Sequence, residues 1–128
     1  MSYTMDKQVE GDFGNIVEQT TAALEDEGFG VLCDIDVQQT FKEKLDEEYQ
    51  QYRILGACNP ELAHEALENE LVLGALLPCN VIVYETDGDN IGVSAVDPEA
   101  LLSVSDNSDL DPIAADVRDR FESVLNAL

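Results

Sequence analysis

The chain has 128 residues, 45% of them hydrophobic, and sets 28 Asp plus Glu against 6 Lys plus Arg, a formal charge of −22. That length favours a single domain over residues 1–128, and apolar residues in periodic blocks exclude a disordered chain. A surface this negative repels phosphate backbones and anionic headgroups, so nucleic acid and membrane surfaces are excluded as partners.

Met1 to Glu10 reads as a weakly patterned first strand, with no apolar h-region of a secretory signal. Asp12 is a good N-cap, and Phe13, Ile16, Val17, Thr20 and Leu24 recur at helical spacing until Gly28, a natural residue just past a helix end. Phe29 to Val37 then alternates, which predicts a strand with Phe29, Val31, Cys33, Ile35 and Val37 on its buried face. Thr40 to Glu48 reads as a short charged helix or turn, and Tyr52, Ile54, Gly56 and Cys58 as the next strand.

Three prolines follow Asn or Asp, at Asn59-Pro60, Asp97-Pro98 and Asp111-Pro112. A capping side chain followed by Pro at the first helical position is a start signal, because that position needs no amide donor. The first predicts a helix with Leu62, Ala63, Ala66 and Leu67 inward, and the second a short helical turn. The third, or Asp109 before it, predicts a last helix striped by Ile113, Val117, Phe121, Val124, Leu125 and Leu128. Between them Cys79 to Glu85 and Ile91 to Val96 read as strands joined by a hairpin loop at Thr86 to Asn90. Leu71 to Tyr84 is largely apolar but is interrupted by Gly74, Pro78 and Asn80, well short of the ~20 residues a spanning helix needs. The order β-α-β-β-α-β-β-α predicts an α+β fold, an antiparallel sheet with helices on one face.

The charge imbalance comes from missing cations as much as from added acids: Ile54 to Val117 contains 13 carboxylates and no Lys or Arg. Such a surface becomes tolerable when salt cuts the screening length to about 3 Å at 1 M. The expectation is a cytoplasmic protein of an extreme halophile, with an ordinary acidic partner-binding face as the alternative. Three cysteines, Cys33, Cys58 and Cys79, are an odd number without framework spacing, which fits a reducing cytosol.

Ile54-Leu55-Gly56-Ala57-Cys58-Asn59-Pro60 and Leu76-Leu77-Pro78-Cys79-Asn80-Val81 are distinctive. With Gly28-Phe29-Gly30 and Ile35-Asp36-Val37 before them, they resemble the family known as domain of unknown function 302 (DUF302), here as an acidic, haloarchaeal-type member. The motifs run in order over residues 28–97. The resemblance implies a fold like one repeat of the TATA-box-binding protein and a tendency to homodimerise. It implies no established activity, and fold likeness alone gives no DNA binding.

Cys58 and Cys79 form the candidate site, since each lies beside an Asn and a Pro at a strand end. Two thiolates converging there would suit Cu(I) or Zn(II), or could form a transient disulfide. The default for free cysteines, small buried residues packing beneath Pro turns, is the alternative. Cys33, on the apolar face of its strand, is assigned to the core. His64 begins a zinc-protease-like HExxH string but lacks the second histidine, which leaves it as a third ligand beside Cys58 or as a solvated partner of Glu68. Asp87-Gly88-Asp89-Asn90 lacks the ligand alternation of a calcium loop. Arg53 is an isolated cation suited to an anion or to a nearby carboxylate.

Three functions follow: a non-enzymatic, homodimeric binding domain that takes a soft metal or a small molecule in a cleft bordered by Cys58 and Cys79, a thiol-dependent enzyme or redox sensor using Cys58 or Cys79, and a purely structural interaction module. Leu32, Leu55, Ile82 and Tyr84, on the opposite phase of their strands, would form the dimer face.

Overall fold

Capping side chains set most of the element boundaries. In the computed structural model, which describes residues 2–128, the chain runs β1 (Thr4–Glu10), α1 (Phe13–Asp26), β2 (Gly30–Asp36), α2 (Val37–Leu45), β3 (Tyr52–Cys58), α3 (Pro60–Asn69), β4 (Cys79–Glu85), β5 (Asn90–Val96), α4 (Pro98–Leu102) and α5 (Asp111–Asn126). Asp12, Asn59 and Asp97 accept from the amides of Asn15, Leu62 and Glu99, as their positions before the helices require. Gly28 follows the α1 cap at φ +87°, a conformation that favours glycine.

Two boundaries differ from the sequence expectation. Asp36 accepts from the Gln39 amide at 3.0 Å, so α2 starts at Val37 rather than Thr40. At the last helix neither Asp109 nor Asp111 acts as the cap. Asn107 instead caps a 3-10 turn at Ser108–Leu110, and α5 grows out of that turn.

All five strands pair antiparallel in the order β1-β5-β4-β3-β2. One face carries Leu55, Ala57, Val81, Val83, Val93 and Ala95, and α1 and α5 cover it with Ile16, Leu24, Val117, Phe121 and Val124. Phe29 and Phe121 meet with ring centroids 4.9 Å apart. Leu55 is fully buried there, which corrects its assignment to a dimer face.

The sharper correction concerns β2. Its ladder with β3 shifts register between Val31 and Cys33, so Leu32 is an extra, bulged residue. One extra residue inverts the phase of everything after it. Val31 stays on the helix-covered side, while Cys33 passes to the other and is exposed rather than in the core.

The opposite face carries Ile35, Ile54 and Ile82 in register, beside Tyr52 and Tyr84, whose rings stack at 5.8 Å. Helix α2 and Tyr49 border its edge near Tyr52 and Ile54. Tyr84 lies flat across Gly92, where a Cβ would collide with the ring. Its hydroxyl donates to Ser94 Oγ (3.0 Å), which donates to Asp6 (2.6 Å).

Gly92→Ala should therefore destabilise the fold by about 1–3 kcal/mol, because the ring is held from both ends. Gly14→Ala, in an exposed turn of α1 with ordinary contact distance to its one neighbour, should stabilise by about 0.5–1 kcal/mol. Urea unfolding of the two variants checks the opposite signs.

Candidate functional site

The site is built where β3 hands over to α3. Asn59 is buried, its Oδ1 accepts from Leu62 N at 3.2 Å, and Pro60 occupies the first helical position. Gly28 packs beneath it, since a Cβ there would lie 3.0 Å from Asn59 Nδ2 and 3.1 Å from Arg120 Nη1. Arg120 donates to the Glu27 carbonyl at 2.8 Å and pairs with Asp116 at 2.8 Å, tying the end of α1 to α5. Three segments thus converge on one glycine and fix the direction in which α3 departs.

Helix α3 extends from the sheet with its apolar stripe only partly covered. Ala66 is the one fully buried residue of the helix. Leu62, Ala63, Ala66 and Leu67 instead face a cavity of about 290 Å³. Phe29, Ala57 and Cys79 form its sheet side, and Leu73, Leu102, Ile113 and Val117 form the far wall. The cavity follows the seam between the main core and a second apolar cluster that contains Ala66, Leu73, Leu110 and Ala114. Among the described residues no charged side chain lines it.

Both candidate cysteines border this cavity. Cys79 sits opposite Ala57 in the ladder, one residue before Cys58. Cys79 is buried, and burial, with a smaller contribution from the nearby Cys58, pushes its thiol up to about 11. Cys58 is half-buried and is raised by the same cause. Burial therefore disfavours the thiolate form that a nucleophile uses at both positions.

The structure does not bring His64 to them as a third ligand. His64 is exposed and lies 3.6 Å from Glu68, and among the described residues no three His, Cys, Asp or Glu side chains gather where they could hold a metal ion. Two neutral thiols fall short of the three or four protein ligands that zinc takes. Arg53 is engaged by both carboxylate oxygens of Asp34 across β2 and β3. The acidic hairpin is closed by Thr86, whose amide and hydroxyl both donate to the Asn90 carbonyl, with Gly88 at φ +74°.

Sequence reading expected a cleft bordered by the two cysteines but missed its apolar wall on α3 and α5. Its available signal was the pair of neighbouring apolar runs, Leu62 to Leu67 and Leu71 to Leu77, which together exceed what one short helix can bury against a sheet end.

An antiparallel α+β domain with an apolar cavity at one end of its sheet is thus the class of protein the coordinates define. A family model described as "Domain of unknown function DUF302" matches residues 5–128, and the chain belongs to that family. It is also similar to a crystal structure of an uncharacterized conserved DUF302 protein from Bacillus stearothermophilus. The TM-score is 0.92 at 28% identity, over 99% of this chain and 98% of that one. No curated protein matches the chain. No helix among the described residues is long and apolar enough to cross a membrane.

The three thiols should react in the order Cys33, Cys58, Cys79, with Cys79 labelled only on unfolding; mass spectrometry after timed alkylation reads the order. Linkage adds a pH signature. Cys79 is raised from an ordinary value of 9.0 to about 11, so the fold holds its proton where the unfolded chain releases it. Its contribution to stability is complete below about pH 9 and is lost as pH rises toward about 11. In Cys79→Ala this part of the alkaline decline should disappear from denaturation curves taken across that window.

Proposed function

We propose that this DUF302 domain is a non-enzymatic binding protein whose ligand is a small apolar molecule held between α3 and the sheet end, against Cys58 and Cys79. The observation that carries the reading is the cavity of about 290 Å³ that Leu62, Ala63, Ala66 and Leu67 of α3 line on one side, where α3 packs against the two apolar clusters without closing the seam between them. Apolar side chains left unpacked forgo both dispersion contacts and burial, a cost that a bound hydrocarbon reverses. An engineered cavity of roughly 150 Å³ accepts benzene. The cavity here, about 290 Å³, offers nearly twice that space. Burial of both thiols, which favours their neutral form, fits an apolar ligand better than thiolate catalysis, and the lack of a third ligand beside them among the described residues weighs against zinc.

We also propose that two copies pair through the open sheet face, as expected of this family. Ile35 is 46% exposed on that face, beside Ile54 and the Tyr52–Tyr84 stack. The accessible surface of 7453 Å² exceeds the roughly 6,700 Å² usual for a monomer of this mass, leaving area for a partner to cover. Two chains of charge −22 repel, so pairing and stability both gain from salt, which supports the reading of a halophile's cytosol.

A neutral probe such as 1-octanol should raise the melting temperature and give a saturable calorimetric signal. At a hundred times its Kd the stabilisation should be about 2.7 kcal/mol. Ala63→Trp, which fills the cavity from α3, should abolish that signal while leaving the circular dichroism spectrum native; an unchanged affinity would place the probe elsewhere. In a KCl titration the melting temperature should rise, and light scattering should approach twice the 14.0 kDa chain mass. A flat melt and a monomer in molar KCl would count against the halophile and dimer readings respectively.

A further inference from the structure

Resting on the ligand reading above, we infer that the cavity discriminates by charge: it admits uncharged, hydrocarbon-rich molecules and rejects carboxylate-headed amphiphiles of the same chain length. An apolar tail alone does not define a ligand, because fatty acids and neutral lipids share it. What separates them is whether the site can satisfy an anionic head.

Sites that hold carboxylates supply a cation, a cluster of free amides or a pair of hydroxyl donors. This cavity supplies none of them. Its only conventional polar side chain is Asn59, whose Oδ1 is committed to the Leu62 amide and whose amide nitrogen packs against Gly28. Arg120, the nearest cation to that turn, is bound to Asp116 and the Glu27 carbonyl and does not line the cavity. An anion drawn inside would be stripped of water without a partner to replace it. The two thiols report the same environment, since burial there disfavours their negative form.

The outside adds to the effect. On α3 the residues that alternate with the apolar stripe are Glu61, His64, Glu65 and Glu68, and no Lys or Arg occurs between Ile54 and Val117. A carboxylate that kept its head in solvent and inserted only its tail would sit in this field. Two barriers of different range therefore act on anions: desolvation inside, which salt does not screen, and long-range repulsion outside, which it does.

That difference in range supplies the test. Binding of 1-octanol and of octanoate to the intact chain would be measured by calorimetry at low salt and in molar KCl, with Ala63→Trp as the blocked-cavity control. Octanol should bind at least about tenfold more tightly than octanoate in molar KCl, with a wider gap at low salt. Equal affinities in molar KCl, both abolished by Ala63→Trp, would overturn the inference while leaving the binding reading intact. No saturable binding of either probe would remove the binding reading, and this inference with it.

Discussion

The hydrogen bond from the Leu62 amide to the Asn59 side chain is the contact on which the site depends. It ends β3, starts α3 and, with Pro60 fixing the first helical residue, sets the direction of the helix away from the sheet. Had α3 folded back across the strands, Ala66 and Leu67 would have joined Leu62 against the main core. Held at the sheet end above Gly28 and Arg120, they meet Leu73 and Ile113 instead, and the seam between the two clusters stays unfilled.

The few cations serve as ties between elements. Arg53 joins β2 to β3, Arg120 joins α1 to α5, and Arg118 reaches Asp97 and Glu99 at the start of α4 from α5. Each is at least a third exposed or close to it, so each contributes modestly on its own. Their positions matter more than their energies. With six Lys and Arg in the chain, three stand where one element must be held against another, and none is left to line the cavity. The acidic surface and the apolar framework are thus nearly independent, the first governing the solvent the protein tolerates and the second what it can hold.

Much of the fold was legible because its signals are local. The Asn-Pro and Asp-Pro starts, the Asp12 cap, Gly28 and the helical stripes of α1 and α5 act within one or two turns of chain. The bulge at Leu32 was not legible, since Val31, Cys33 and Ile35 alternate identically whether or not a residue is extruded; the choice is made by β3, through the ladder. Leu55 misled for a related reason. Its neighbours Ile54 and Gly56 suit either face of a strand, and only the packing of α1 and α5 decides between them. The acidic cap at Asp111 lost to Asn107, whose 3-10 turn lies upstream of the proline signal. Of the site, Cys58, Cys79 and a cleft beside them were readable from their motifs, whereas the identity of the far wall depends on how α3 packs beside α5, which is decided by tertiary contacts.

The seam between α3 and the sheet end is an open, ligand-sized space lined by apolar side chains. Diffraction from a crystal of the protein pressurised with xenon tests it most directly, because xenon enters apolar cavities and scatters strongly. The account predicts an ordered xenon between Leu62, Ala66 and Leu73, within contact of Cys79. Xenon bound only at the outer surface, with the α3 leucines packed against the sheet, would contradict it.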